Sequence, residues 1–331
     1  MKAIVCEAFG AIESLVLKDV DEPVPGKGQV RVRILATGVN FPDGLLVQGL
    51  YQMKPETPFI PGMEFCGVVD ELGEGVKHLK LGQRLICSSL GLGGFAEKAV
   101  VNAMTVLPLA DEVTDIDAAN LMCAYGTAHH ALKQRAQLKK GETLVVLGAA
   151  GGTGLAAVQI GKAMGAKVIA VCSTEEKLAL AKANGADGGV NYSESDLKSS
   201  IKELTQGKGA DVVYDAVGGD AFDACARSMA RNGRLLVVGF ASGRIPELPV
   251  NLTLVKEFSV IGVFWGSFAA KEPMVFLQNM QELFGWYREG LVRLVTDEVF
   301  PLSRTVDALE KVMQRQVKGK VVVVPDALLT H

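Results

Sequence analysis

The chain has 331 residues and a mass of 35.1 kDa, more than one hydrophobic core normally serves, so two domains are expected. With 49% hydrophobic and 21% charged residues, and no apolar run near the ~20 residues of a membrane-spanning helix, a soluble protein is expected. Thirty-four Lys and Arg against 37 Asp and Glu leave a net charge of −3, which argues against nucleic acid or an anionic membrane as a partner.

At the N-terminus Glu7 interrupts MKAIVCEAFG before a secretory apolar core of roughly seven residues forms, so a cytoplasmic protein is expected. The six cysteines, at 6, 66, 87, 123, 172 and 225, are never closer than 21 residues, so no CxxC metal or redox pair exists and they are read as small apolar residues. Residues 1 to about 124 run in short alternating segments broken by turn residues: KAIVCEAF, LVLKDV, QVRVRILATGV, EFCGVVDELGEG, RLICSSLGLGG and FAEKAVV. This texture predicts a mostly β domain.

From about 125 to 265, apolar runs of five to seven residues alternate with helical stretches, the pattern of βαβ units on a parallel sheet. Six strands are predicted, at 144–148, 167–171, 189–192, 211–217, 234–240 and 259–265, enough for a doubly wound Rossmann sheet. Ser173 and Glu176 form a capping box for the helix after the second strand, and Gly185 stands where that helix should stop. From about 266 an amphipathic stretch (PMVFLQNMQELFGWYREG), VDALEKVMQRQ and the strand GKVVVVP are expected to return to the first domain. With no long polar linker, the two domains are expected to pack directly around a cleft.

The first of the six strands runs into Gly148-Ala149-Ala150-Gly151-Gly152-Thr153-Gly154 and a helix-like LAAVQIGKAMG. Strand, glycine turn and helix in that order let backbone N–H groups approach a pyrophosphate at the positive end of the helix. The strict GxGxxG pattern is not met, because Ala150 and Thr153 take the second and third glycine places, but the turn heads an α/β run as a dinucleotide site requires. About 20 residues on, where an acidic residue would hold the ribose 2′-OH of NAD, the chain reads Cys172-Ser173-Thr174. A hydroxyl at Ser173 and an ammonium at Lys177 suit a 2′-phosphate, so NADPH is the expected cofactor.

The segments GVNFPD (38–43), QGLYQ (48–52), PGMEFCGVV (61–69), GAAGGTGLAAVQ (148–159), NYSESD (191–196), DAVGGD (215–220), GRLLVVGFASG (233–243) and GKVVVV (319–324) carry a resemblance that spans essentially the whole chain. The sequence resembles the medium-chain dehydrogenase/reductase superfamily, and within it the zinc-free quinone oxidoreductase branch that includes the zeta-crystallin-like proteins. The resemblance implies a GroES-like, β-rich catalytic domain at 1–124, completed by 266–331, and a Rossmann dinucleotide-binding domain at 125–265. Zinc enzymes of the superfamily hold their catalytic metal with Cys, His and Cys. Here Asn40 stands at the first place, Met63 at the second and Cys123 at or near the third, and the four-cysteine structural zinc loop is absent. No metal is therefore expected.

What the resemblance implies is hydride transfer from NADPH to a quinone or an α,β-unsaturated carbonyl. Asn40 would donate to the acceptor oxygen, Tyr51 would be a donor or stacking wall, and Asp43 and Glu64 would stand behind them. Cofactor contacts are implied for Thr127, beside the nicotinamide phosphate, and for Ala150, Gly151, Gly152 and Thr153 in the turn, Thr153 taking the Val place of the family's AAxGGVG. Ser173, Lys177 and Tyr192 would surround the 2′-phosphate. Val217 and Lys320 would add contacts, and Phe240, Phe264 and Trp265, ending strands five and six, would line the nicotinamide side. His129 and His130 are read as packing residues. The sixth strand, as a sheet edge carrying Val260, Val263 and Phe264, would join two chains into a homodimer, as in family members. The expected partner is a small-molecule quinone or enone. Two alternatives stay open: an enoyl-thioester reductase, and a low-turnover nucleotide-binding scaffold of the kind that in zeta-crystallin-like proteins binds RNA.

Overall fold

The computed structural model describes residues 1–88 and 92–329, so residues 89–91 of the expected 84–94 run lie outside the described residues. The chain divides into two units, Met1–Cys123 with Leu294–His331, and Ala124–Arg293. The return to the first unit therefore comes at Leu294, not at about 266. Helices Trp265–Lys271 and Pro273–Arg288 belong to the second unit, where Glu282 accepts from His129 Nε2 (2.8 Å) and the amides of Asn279 and Gln134 pair at 2.9 Å.

The first unit is built on the eleven-residue strand Gln29–Val39, in which Val30, Val32, Ile34 and Ala36 alternate into the core. Glu64–Leu72 pairs with it antiparallel, and Arg84–Ser88 and Val106–Pro108 extend the sheet on that side. On the other side lies Lys320–Val324, antiparallel to Gln29–Val39 with Val322 opposite Gly38, and beyond it Thr296–Pro301, parallel to Lys320–Val324. A parallel pair requires a crossover, which the amphipathic helix Thr305–Met313 supplies. At the end of Gln29–Val39 the chain turns at Asn40 into the short helix Phe41–Val47, and the Asn40/Asp43 capping box fixes that corner.

The second unit holds six parallel strands, Thr143–Leu147, Lys167–Cys172, Gly188–Asn191, Ala210–Asp215, Met229–Val237 and Ser259–Gly262. Counted in chain order, they lie across the sheet as 3-2-1-4-5-6. This is the doubly wound Rossmann arrangement, whose order reverses between strands one and four, where ligands bind outside the carboxyl ends. The sixth strand stops at Gly262, three residues earlier than its sequence pattern predicts, so Phe264 caps and Trp265 opens the next helix rather than ending a strand. Phe240 likewise follows the fifth strand, which ends at Val237.

The helix after the glycine turn, Gly152–Ala163, is buried without a break from Gly154 to Gly161, which explains why no single apolar face stands out in its sequence. Its one large polar side chain in that stretch, Gln159, is fully satisfied. Its Oε1 accepts from Tyr125 OH (3.2 Å) and Arg293 N–H (2.9 Å), and its Nε2 donates to Arg293 O (2.8 Å) and Asn184 Oδ1 (2.9 Å). The helix is thus tied to the residues where the chain enters and leaves this unit. The helix after the second strand begins one residue later than the capping box predicts. Thr174, not Ser173, is its N-cap, accepting from Lys177 N–H, and Gly185 follows its end at φ +111° as expected.

Candidate functional site

In the second unit, Gly148 leaves the first strand at φ +66°, and Gly151 N–H closes the turn on Gly148 O at 3.0 Å. The first helical bond runs from Leu155 N–H to Gly151 O, and no side chain caps this end. The amides of Gly152, Thr153 and Gly154 therefore lack intrahelical acceptors at the positive end of a twelve-residue helix, a ready site for a phosphate group. Gly154 is required by close approach, because a Cβ there would stand 2.1 Å from Gly148 O. Ala150 is buried within the turn. These residues fit the pyrophosphate of a dinucleotide.

The carboxyl ends of strands two and three lie side by side, with Asn191 opposite Cys172, Tyr192 N–H bonded to Cys172 O (3.1 Å) and Ser193 Oγ donating to Ser173 O (2.9 Å). Ser173 and the half-exposed Tyr192 are thereby brought together, with Lys177 on the first turn of the following helix. The carboxylates that follow Ser173 most closely in sequence are Glu175 and Glu176, Glu194 stands two residues beyond Tyr192, and the buried Asn191 donates its amide N–H to Glu175 at 3.2 Å. Sequence reading missed Asn191, although it stands in the quoted NYSESD segment.

After the fourth strand the buried Asp215 accepts from Val217 and Gly218 N–H at 2.7 and 2.8 Å, which shapes the turn that brings the Val217 side chain against Gly148. Burial pushes the Asp215 carboxyl up, and these two amides oppose the shift. The Phe240 loop lies on the same turn, with Phe240 against Gly218. Trp265 packs on Gly126, where a Cβ would stand 2.8 Å from its indole nitrogen, and so lies beside the helix turn that carries Thr127. Phe264 is exposed. His129, on Glu282, and His130, stacked on Phe268 with ring centroids 3.8 Å apart, are packing residues.

In the first unit, Asn40, Asp43, Glu64 and Lys320 form a buried polar cluster. Lys320 Nζ donates to Asn40 Oδ1 at 2.5 Å and to Val39 O at 3.2 Å, and stands 3.8 Å from Glu64 Oε2. Asn40 Nδ2 donates to Glu64 Oε2 (3.0 Å) and to Gly38 O (3.2 Å). Both amide hydrogens of Asn40 are therefore engaged inside the unit. Glu64 Oε1 accepts from Cys123 N–H at 2.8 Å. Asp43 accepts from Asn40 N–H (2.8 Å) and Met63 N–H (3.1 Å). Lys320, assigned to the cofactor from sequence, here holds its ammonium among these groups. Among the described residues no group of three His, Cys, Asp or Glu side chains is arranged to hold a metal ion.

Burial dominates the ionisation of this cluster. It raises the Asp43 carboxyl to about 7, against the pull of the Asn40 amide and Lys320, and it also raises Glu64, with Lys320 opposing. The half-buried Tyr51 lies close enough to feel the charges of Cys123 and Asp43, and burial pushes its hydroxyl up to about 12. That hydroxyl has no hydrogen-bond partner among the described residues.

A carboxyl held more firmly protonated in the fold than in the unfolded chain stabilises below its unfolded pKa and loses that contribution as pH rises toward the folded value. Asp43 should therefore make the protein less stable between pH 3.8 and about 7 as pH increases. Asp43→Asn should flatten this slope by an amount on the order of a few kcal/mol across the window. Urea melts of both proteins at steps from pH 4 to 8 measure it, and parallel curves would show that Asp43 does not titrate there.

Residues 26–111 match the family model described as alcohol dehydrogenase GroES-like domain, and residues 152–282 the model described as zinc-binding dehydrogenase. The chain is 40% identical to quinone oxidoreductase-like protein 2 of Rattus norvegicus over 321 residues, 97% of this chain and 91% of that one. It superposes on a quinone oxidoreductase of Pseudomonas syringae pv. Tomato with a TM-score of 0.92 at 33% identity, covering 98% of this chain and 99% of that one. The quinone oxidoreductase of Escherichia coli, solved in complex with NADPH, gives a TM-score of 0.91 at 28% identity over 98% of this chain and 100% of that one. With a family model matched in each unit and a relative 40% identical over 97% of this chain, the protein is an oxidoreductase and belongs to the quinone oxidoreductase branch of the medium-chain dehydrogenase/reductase superfamily.

Proposed function

We propose that the protein reduces a quinone or an α,β-unsaturated carbonyl with NADPH and without zinc. The observation that carries this reading is the donor set of the first unit. The place of the first zinc-ligand cysteine holds Asn40, whose oxygen and both amide hydrogens are engaged by Lys320, Glu64 and Gly38, and the place of the histidine holds the thioether of Met63. An engaged amide and a thioether do not fit a zinc ion. NADPH, when bound, supplies a hydride from its nicotinamide ring. Gly152, Thr153 and Gly154 N–H groups would hold its pyrophosphate, and Tyr51 O–H would donate to the acceptor oxygen in the role expected of Asn40. NADPH over NADH is supported by the end of the second strand, where no carboxylate follows Cys172 until Glu175, itself bonded to Asn191.

A second part of the proposal is a homodimer joined at the sixth strand. Ser259–Gly262 is a sheet edge with Val260 exposed, and the helix before it, Asn251–Lys256, buries no residue while leaving Leu254 and Val255 78% and 75% exposed. Antiparallel pairing of two such edges would satisfy the unpaired backbone groups and cover these side chains.

Four outcomes are expected. Chelator-treated enzyme should oxidise NADPH with quinones or alkenals at its untreated rate, and Tyr51→Phe should lower kcat by roughly tenfold, the worth of one hydrogen bond gained in the transition state. Loss of turnover on chelation would reject zinc independence, and turnover confined to enoyl-thioesters would favour that alternative. Lys177→Ala should weaken NADPH roughly 10- to 100-fold in fluorescence titrations while leaving NADH nearly unchanged, since one charge-assisted bond to a 2′-phosphate is lost. Equal weakening of both cofactors would rule that contact out. For the dimer, Val260→Glu should halve the mass seen by light scattering, and a monomeric wild type would refute the interface.

A further inference from the structure

In Gly151-Gly152-Thr153-Gly154, three of four residues have no side chain, so the backbone that presents its N–H groups to a phosphate is the most permissive stretch of the unit. Only Thr153 can pin it. Thr153 Oγ1 lies 2.5 Å from Tyr214 OH and 3.4 Å from Ala124 O. Either hydroxyl can be the donor in the short Thr153–Tyr214 bond, and the Thr153 contact to Ala124 O is the longer of the two. Tyr214 is fully buried and paired in register opposite Val146, on the strand that feeds the turn. Its hydroxyl is therefore fixed relative to that strand, and through Thr153 it fixes the second residue of the helix.

We propose that Tyr214 and Thr153 are positioning residues for dinucleotide binding: the short hydrogen bond between their hydroxyls, with Ala124 O beside it, holds the phosphate-binding turn ready before a ligand arrives. This rests on reading the turn as the NADPH site. Without the clamp, ordering Gly151–Gly154 becomes part of the cost of binding, and affinity falls even though no ligand contact is removed. A valine at 153 keeps the shape of threonine and deletes only the hydroxyl.

The test titrates wild type, Thr153→Val, Thr153→Ser, Tyr214→Phe and the double variant with NADPH, NADH and adenosine 2′-phosphate, alongside thermal melts. Thr153→Val should weaken NADPH and NADH by the same factor, about five- to tenfold for one neutral hydrogen bond. Thr153→Ser should restore most of that affinity. Tyr214→Phe should match Thr153→Val, and combining the two should add nothing further. Adenosine 2′-phosphate, which has no pyrophosphate, should bind all five proteins alike. Should Thr153→Val fail to fold, Tyr214→Phe leaves the turn sequence intact and carries the same expectation. Unchanged NADPH affinity in the variants, or an equal loss for adenosine 2′-phosphate, would overturn the clamp while leaving the cofactor reading standing. A wild type that binds neither dinucleotide would overturn both.

Discussion

A buried ammonium cannot stand alone, and in the first unit that constraint sets much of what surrounds it. Lys320 has almost no contact with solvent, and an unpaired charge in such a place would cost several kcal/mol. Its partners are Val39 O, Asn40 Oδ1 and Glu64, so the strand Lys320–Val324 must lie against Gln29–Val39 in the register that sets Val321 opposite Val39. Because an ammonium only donates, the Asn40 oxygen must face it, and the Asn40 nitrogen is turned to Glu64 and Gly38. The backbone N–H of Asn40 then falls to Asp43, which also closes the helix corner. One charge thus orders the chain's last strand, the orientation of an amide and the start of a helix.

This cascade also separates what sequence discloses from what it does not. The central parallel strands were legible because a strand buried on both faces needs a continuous apolar run, and those runs are local. The last strand was legible for the same reason. The unit to which Pro273–Arg288 belongs was not, since an amphipathic helix declares that it packs but not on what. Its polar anchors, Asn279 to Gln134 and Glu282 to His129, join residues about 150 positions apart in sequence. The cap at Thr174 rather than Ser173 is a smaller case: two adjacent hydroxyls both suit the role, and backbone geometry decides between them.

At the site, residue types were legible and their hydrogen-bond capacity was not. Asn40 could be singled out from its place in the family pattern, but whether an amide has a free hydrogen depends on every neighbour it meets. The decisive neighbour, Lys320, stands 280 residues away. Asn191 shows the converse. It looked like one more polar residue before Tyr192, yet its amide engages the nearest carboxylate that follows the second strand.

Both departures from the zinc-dependent pattern change the kind of charge present rather than the fold. A zinc ion is a positive charge with an open coordination place, whereas the ammonium of Lys320 is covalently fixed and its bonds are spent on Asn40 and Val39. On the proposed reading, polarisation of an acceptor then falls to a neutral donor, and Tyr51 suits that role because burial holds its hydroxyl protonated, with a pKa near 12. Such a donor stabilises developing negative charge by a hydrogen bond but gives up its proton reluctantly. That is enough for a quinone or an enone, whose electron-poor carbon accepts hydride and spreads the charge onto its own oxygen. It is a poor substitute for a Lewis acid toward a simple alcohol, whose O–H must first be made acidic, so on the proposed reading the loss of the metal would narrow the chemistry toward reduction of activated acceptors.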